Sequence, residues 1–196
     1  ISGTSLDAIS GIIQVELEIK RLIDNLSWDG SQWKTGENYI LCLGTESWSY
    51  SITNPDTFWQ DSQYELRVRA SDGADNVETP KVRNFTYDTV APTSTVLVPA
   101  DNSYLSSLLE ISGTSYDLNR ISEVQVSIYD QTNLLYWDGS TWISSQTWNL
   151  TNGTTHWTYE FSDWTDGHYY LIKSKAMDLA LNEEISTDGN VFKYDI

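Results

Sequence analysis

The chain has 196 residues, room for one or two domains, and carries 28 acidic against 11 basic residues for a formal net charge of -17. That surface repels phosphate backbones and anionic lipid, so nucleic acid and the membrane surface are excluded as partners, and no apolar run approaches the length of a membrane span. Nine Trp and twelve Tyr exclude an acidic disordered tail, and a single Cys42 excludes a disulfide-stapled mini-domain.

In chain order, "ISGTSLD" at Ile1 to Asp7 opens the sequence, followed by "SWDGSQW" at Ser27 to Trp33. Asp-Gly between two tryptophans suits a tight hairpin turn that needs positive φ. "YILCLG" holds Cys42, a small hydrophobe by context. "SWSYSI" and "YELRVRASDGADN" come next, the latter alternating apolar and polar side chains with the period of a strand. "NFTYD" closes this part at Asp88.

The same blocks then return in the same order. "ISGTSYD" spans Ile111 to Asp117, "YWDGSTW" spans Tyr136 to Trp142, and Trp157 and Tyr159 stand in "HWTYEF". "YLIKSKAMDLALN" and "VFKYD" complete the second copy. Two copies of one module are therefore predicted, residues 1–88 and 89–196. Short strands every 8 to 12 residues make each an Ig-like β-sandwich, all-β. In the second copy the expected strands are "TSTVLVP", "LEISGTS", "EVQVSIYD", "TWISSQTW", "HWTYEF", "YYLIKSKA" and "VFKYD". The first copy has no counterpart of residues 89–110 and is expected to lack its first strand. No signal peptide is read, and Ile1 in place of Met suggests processing or a window on a longer array. A strand donated by another subunit is the alternative.

On these blocks, with "AMDLALN" ending a strand and "YDTVAP" linking the copies, the chain resembles the bacterial and archaeal Ig-like (Big-type) tandem repeats of cell-surface proteins. The resemblance implies an extracellular, non-catalytic role as stalk, adhesin spacer, surface-layer or filament component. Neighbouring copies of the module, and glycans, are the partners it suggests. Two other readings stay open: a filament subunit completed by strand exchange, and a carbohydrate-binding module of a secreted enzyme.

Candidate chemistry sits in the acidic loops. Asp88, Asp117, Asp178 and Asn182 are expected to converge at the module junction as oxygen ligands for Ca²⁺, with Asp7, Asp72, Asp75 and Asn76 as the first-copy set. The competing reading makes these residues turn formers. Eight tryptophans recur in pairs (28/137, 33/142, 48/157, 59/164) and read as scaffold, which leaves Trp148 as the candidate for a copy-specific contact. Asn25, Asn84, Asn149 and Asn152 head glycosylation sequons, with Asn149 and Asn152 favoured. His156 and His168 are too few for a His-rich zinc site, and no nucleophile elbow or phosphate loop is present, so no enzymatic activity is expected.

Overall fold

A computed structural model describes residues 1–186 and 188–196. The chain is all-β, two tandem Ig-like β-sandwich domains, and divides into compact units Ile1–Asp88 and Thr89–Ile196. The first unit runs β1 (Ser2–Thr4), β2 (Ile12–Arg21), β3 (Leu26–Trp28), β4 (Trp33–Lys34), β5 (Ile40–Leu41), β6 (Ser47–Ser49), α1 (Pro55–Phe58), β7 (Ser62–Asp72) and β8 (Lys81–Tyr87). The second runs β9 (Thr93–Val98), β10 (Ser103–Leu105), β11 (Glu110–Tyr116), β12 (Ile121–Asp130), β13 (Leu135–Trp137), β14 (Trp142–Ile143), β15 (Asn149–Leu150), β16 (His156–Glu160), β17 (Tyr169–Asp178) and β18 (Asn190–Tyr194).

In the first unit the order β4-β3-β2-β7-β8, with β5 also on β2, forms one sheet, and β1 with β6 forms the other. The second unit repeats this as β14-β13-β12-β17-β18, with β15 on β12, and adds β10 beyond β18. Its other sheet is β16-β11-β9. Matching registers show how closely the units agree: Arg21 faces Tyr64 as Asp130 faces Tyr170, and both β2 and β12 slip register at their first residues.

Period-two alternation puts Val15, Leu17 and Ile19 of β2 and Val124, Val126 and Ile128 of β12 inside. Facing them are Tyr64 with Ala70, and Tyr170 with Ile172 and Ala176. Each large aliphatic side chain so buried contributes about 1.5–3 kcal/mol. At the start of β7, the Tyr64 hydroxyl accepts the Gln60 N–H at 3.0 Å and donates to the Gln60 carbonyl at 3.1 Å. Tyr170 at the start of β17 accepts the Thr165 N–H at 2.8 Å. A tyrosine tied to backbone a few residues upstream is the corner found in Ig-type sandwiches.

Two expectations are corrected. Strand structure in "TWISSQTW" is confined to Trp142–Ile143, and pairing resumes only at Asn149. "NSYL" contributes a short strand, β10, lying parallel to β18, where no strand is expected. The short α1 delivers Phe58 against Trp28, with centroids 5.0 Å apart, as Phe161 meets Trp137 at 5.2 Å without a helix.

Within the small sheet of each unit a glycine lies directly beside a tryptophan of the neighbouring strand, Gly3 by Trp48 and Gly113 by Trp157. A Cβ on Gly113 would collide with the Trp157 ring and the Thr95 carbonyl. Gly113→Ala should therefore lower the stability of the second unit by at least about 2 kcal/mol in urea unfolding. Gly167→Ala meets nothing within 4 Å and has only its positive φ against it; it should cost about 1 kcal/mol. Equal losses at the two positions would show that the close approach is not what the glycine serves.

Candidate functional site

The acidic loops lie where strands end, so each carboxylate faces backbone N–H groups that no ladder pairs. Asp178, the last residue of β17, is 0% exposed. Its Oδ1 accepts the Asn182 N–H at 2.9 Å and its Oδ2 accepts Asn182 Nδ2 at 2.8 Å. The Asp178 N–H donates to the Asn182 carbonyl at 3.1 Å, closing the turn. Asp117, just past β11, accepts the N–H groups of Asn119 (2.6 Å) and Arg120 (3.2 Å) on one oxygen. A carboxylate oxygen of Asp117 lies within 4.8 Å of one of Asp178. The second unit thus brings together three of the residues picked out by the sequence: Asp117, Asp178 and Asn182. Asp88 is the last residue of the first unit, immediately after β8.

The first unit builds the same turn with more donors. Asp72 Oδ1 accepts the N–H groups of Ala74 and Asn76, both at 2.9 Å. Its Oδ2 takes Asn76 Nδ2 and the Ser10 hydroxyl, both at 2.8 Å. Asp7 accepts the Ser10 N–H at 2.8 Å, and its Oδ2 lies 2.7 Å from the Ser10 hydroxyl, whose one proton is shared between the two carboxylates. Asp75 and Leu181 hold matching positions in the two turns with φ of 63° and 71°. The Asn76 amide, then the Asn76 N–H and the Ser10 hydroxyl, hold the Asp72 carboxyl down to about 2. Bonds from Ser10 lower Asp7 too, against the opposing charge of Asp72. A carboxylate offers about four lone-pair directions. Asp72 fills four, whereas the bonds from Asn182 fill two on Asp178.

The Trp-Asp-Gly turns are built by their aspartates. Asp138 accepts the N–H groups of Ser140 (2.8 Å) and Thr141 (2.7 Å), which lower its pKa. Asp29 does the same for Ser31 and Gln32 and pairs with Lys34, the largest cause of its lowered pKa. The tryptophans on either side turn inward. Trp28 donates to the Tyr50 hydroxyl at 3.0 Å, and Trp137 to that of Tyr159 at 3.1 Å. Trp59 stands edge-on to Tyr64 and Phe85, and Trp164 repeats this with Tyr170 and Phe192.

Trp148 is not specific to its copy. Lys175 Nζ lies 5.0 Å over its ring, and in the first unit Arg69 lies 3.8 Å over Tyr39 at the equivalent position. A tryptophan-only comparison misses Tyr39; counting any aromatic would have found it. Among the sequon residues, Asn25 and Asn84 are exposed, as is Asn152. Asn149, favoured from sequence, is only 8% exposed and donates its amide to the Trp137 carbonyl at 2.9 Å. Its side chain takes the core position that Ile40 fills in the first unit. His168 Nδ1 contacts Asp130 Oδ2 at 2.9 Å, a pair with no local pattern to announce it, its members lying 38 residues apart.

No family model matches the chain, and no curated protein matches it. Among solved structures, the fibronectin(III)-like modules of Clostridium thermocellum CbhA are similar at 16% identity with a TM-score of 0.39, over 100% of this chain and 85% of that one.

The Asp72 network has a pH signature. Its folded-state pKa lies below the unfolded value of about 3.9. Its contribution is therefore full above pH 4 and is lost as the pH falls through about 2. Urea unfolding of the first unit should weaken between pH 5 and pH 2.5, and Asp72→Asn should flatten that dependence. In the second unit, Asn182→Ala removes the side-chain donor to a buried carboxylate while keeping the backbone bonds of the turn, and should cost about 1–3 kcal/mol. An unchanged pH profile in the Asp72 variant would remove the network from the account.

Proposed function

We propose that the two units are non-catalytic structural modules of an extracellular prokaryotic surface protein, serving as a spacer in a stalk, adhesin, surface layer or filament. One observation carries this reading. The same aromatic and aspartate positions that attract attention in the sequence are used in both units for cores and turns, with equivalent partners. A binding face of its own would set one copy apart, and Trp148, the best candidate, has Tyr39 as its counterpart. Stable sandwich units in series add length without new chemistry. No helix among the described residues is long and apolar enough to cross a membrane. Exposed Asn25, Asn84 and Asn152 suit glycan attachment at a cell surface.

Calcium fits this reading as a stiffening ligand of the second unit, where Asp117 and Asp178 bring hard oxygen donors together and Asp178 keeps lone pairs unused by Asn182.

Single-molecule stretching should give two unfolding events per chain, one for each unit, and affinity electrophoresis in soluble polysaccharides should show no retardation. Retardation abolished by Trp148→Ala would overturn the spacer reading in favour of a carbohydrate-binding module. Millimolar Ca²⁺ should raise the unfolding temperature of the second unit by a few degrees, without a like effect on the first, and Asp117→Asn should abolish the rise. A calcium response that survives Asp117→Asn would place the ion elsewhere.

A further inference from the structure

The two units differ in length where β6 leads to β7 and β16 to β17. Tyr50 and Trp59 stand nine positions apart, their counterparts Tyr159 and Trp164 five. In the first unit the longer connection carries α1, and the cleft beside Trp28 and Tyr50 measures about 350 Å³, with Ser51, Thr53 and Asn54 in its wall. In the second unit the shorter connection leaves a cleft of about 750 Å³ beside Trp137 and Tyr159. Phe161 adds to its apolar lining, and Glu110, Glu160 and Asp163 supply its charge.

The aromatics are held as in the first unit, and the carboxylates are what set this cleft apart. Glu160 stands where Ser51 does, directly after the tyrosine. Across the ladder it faces Glu110, and both are exposed. Neither side chain has an ion pair or hydrogen bond among the described residues. Like charges directly opposite one another destabilise a ladder, so this pair gains from a cation placed between them. In a chain with 28 acidic residues such a pair can arise from composition alone. This one stands beside an aromatic cleft whose described lining holds no lysine, arginine or histidine.

The lining is rich in acceptors and poor in donors. Trp137 donates its one N–H to the Tyr159 hydroxyl at 3.1 Å, and Trp142 donates its own to Asp163 Oδ2 at 3.0 Å. The indole beside the cleft therefore offers a ligand its π system rather than a hydrogen bond. Carboxylates and an aromatic ring together favour a positively charged, donor-rich group. A guanidinium meets each demand: its five N–H donors reach two carboxylates at once, and its plane stacks on an aromatic ring. An ammonium brings the charge without the plane, and a sugar brings donors without the charge.

We propose that this cleft docks an arginine side chain of a partner protein, held between Glu110 and Glu160 against the aromatic lining. A spacer requires no such contact, so the inference stands or falls apart from the proposed function.

The test is titration of the full chain, labelled with ¹⁵N, with N-acetyl-arginine amide at constant ionic strength. Saturable shifts should appear at the Trp137 indole N–H and at the amides of Glu160 and Phe161. A side chain without the rest of its partner should bind with a dissociation constant on the order of 10 mM. The Trp28 indole N–H, in the narrower cleft of the first unit, should not move. Glu160→Gln should weaken binding at least about 5-fold. Because it removes a repulsion, it should also leave the unfolding temperature of the second unit unchanged or raised, and Glu110→Gln should do the same. The neutral citrulline analogue, alike in shape, should give no saturable shift. No saturable shift from the arginine compound by about 50 mM, well past the expected affinity, would overturn the proposal. So would an equal response at Trp28, or undiminished binding in both glutamine variants. Equal binding by N-acetyl-lysine amide would overturn the choice of arginine in favour of any point charge.

Discussion

Each sandwich depends on the absence of one side chain. Gly3 and Gly113 sit where the indole rings of Trp48 and Trp157 lie across the facing strand, and any Cβ there would occupy the space of the ring. The glycine lets the ring fold over the neighbouring strand of the same small sheet, and the rest of the core packs around it. Trp157 Nε1 lies buried with no hydrogen-bond partner, at a cost of about 1–3 kcal/mol. Burying roughly 150–250 Å² of aromatic surface at about 25 cal/mol per Å² returns about 4–6 kcal/mol, so the ring stays in. "ISG" and the tryptophan that answers it are thus one structural element, and they recur together.

Around that contact the polar interior varies, and the buried charges in it are met by local partners. Arg21 ends β2 buried, bonded to Asp24 and Gln60 and stacked over Trp33. At the same register Asp130 ends β12, bonded to the N–H of Thr132 and to His168. The sign of the charge is reversed and the fold is unchanged. Glu18 and Ser127 likewise share one position: Glu18 takes a hydrogen bond from Ser27 at 2.7 Å and lies 3.8 Å from Arg67. A buried charge requires local compensation and specifies little beyond it. Resemblance between the units is accordingly carried by glycine, aromatics and turn aspartates.

This division explains what could be read from the sequence. The two modules, their hairpins and their strands follow from local periodicity and from aromatic residues repeated at fixed positions. Pairing that depends on distant partners left little trace. β10 is only three residues long, and its strand character comes from lying against β18. The stretch after Trp142 alternates enough to look like a strand, yet Asn149 must reach the Trp137 carbonyl, and the chain loops to bring it there. Among the site residues, the spacing of aspartate and asparagine was visible, because a carboxylate at a strand end with asparagine four residues on is a local pattern. How many lone pairs each carboxylate has left was not, because the added donor at Asp72 is Ser10, 62 residues away.

That last difference gives the two units different capacities. In the first, Ser10 closes the set around Asp72 and lies between it and Asp7, so the repulsion of two carboxylates is relieved by hydrogen bonds from within the chain. In the second, the segment between Asp117 and β12 is one residue shorter, its Arg120 has a φ of 126°, and no serine stands in the place of Ser10. Asp117 and Asp178 approach without that hydroxyl, and their repulsion must be met by another donor or by a cation. A module can thus keep its fold while the donors around the carboxylates of its end loop change. Repeat units that share a core need not share what their ends can bind.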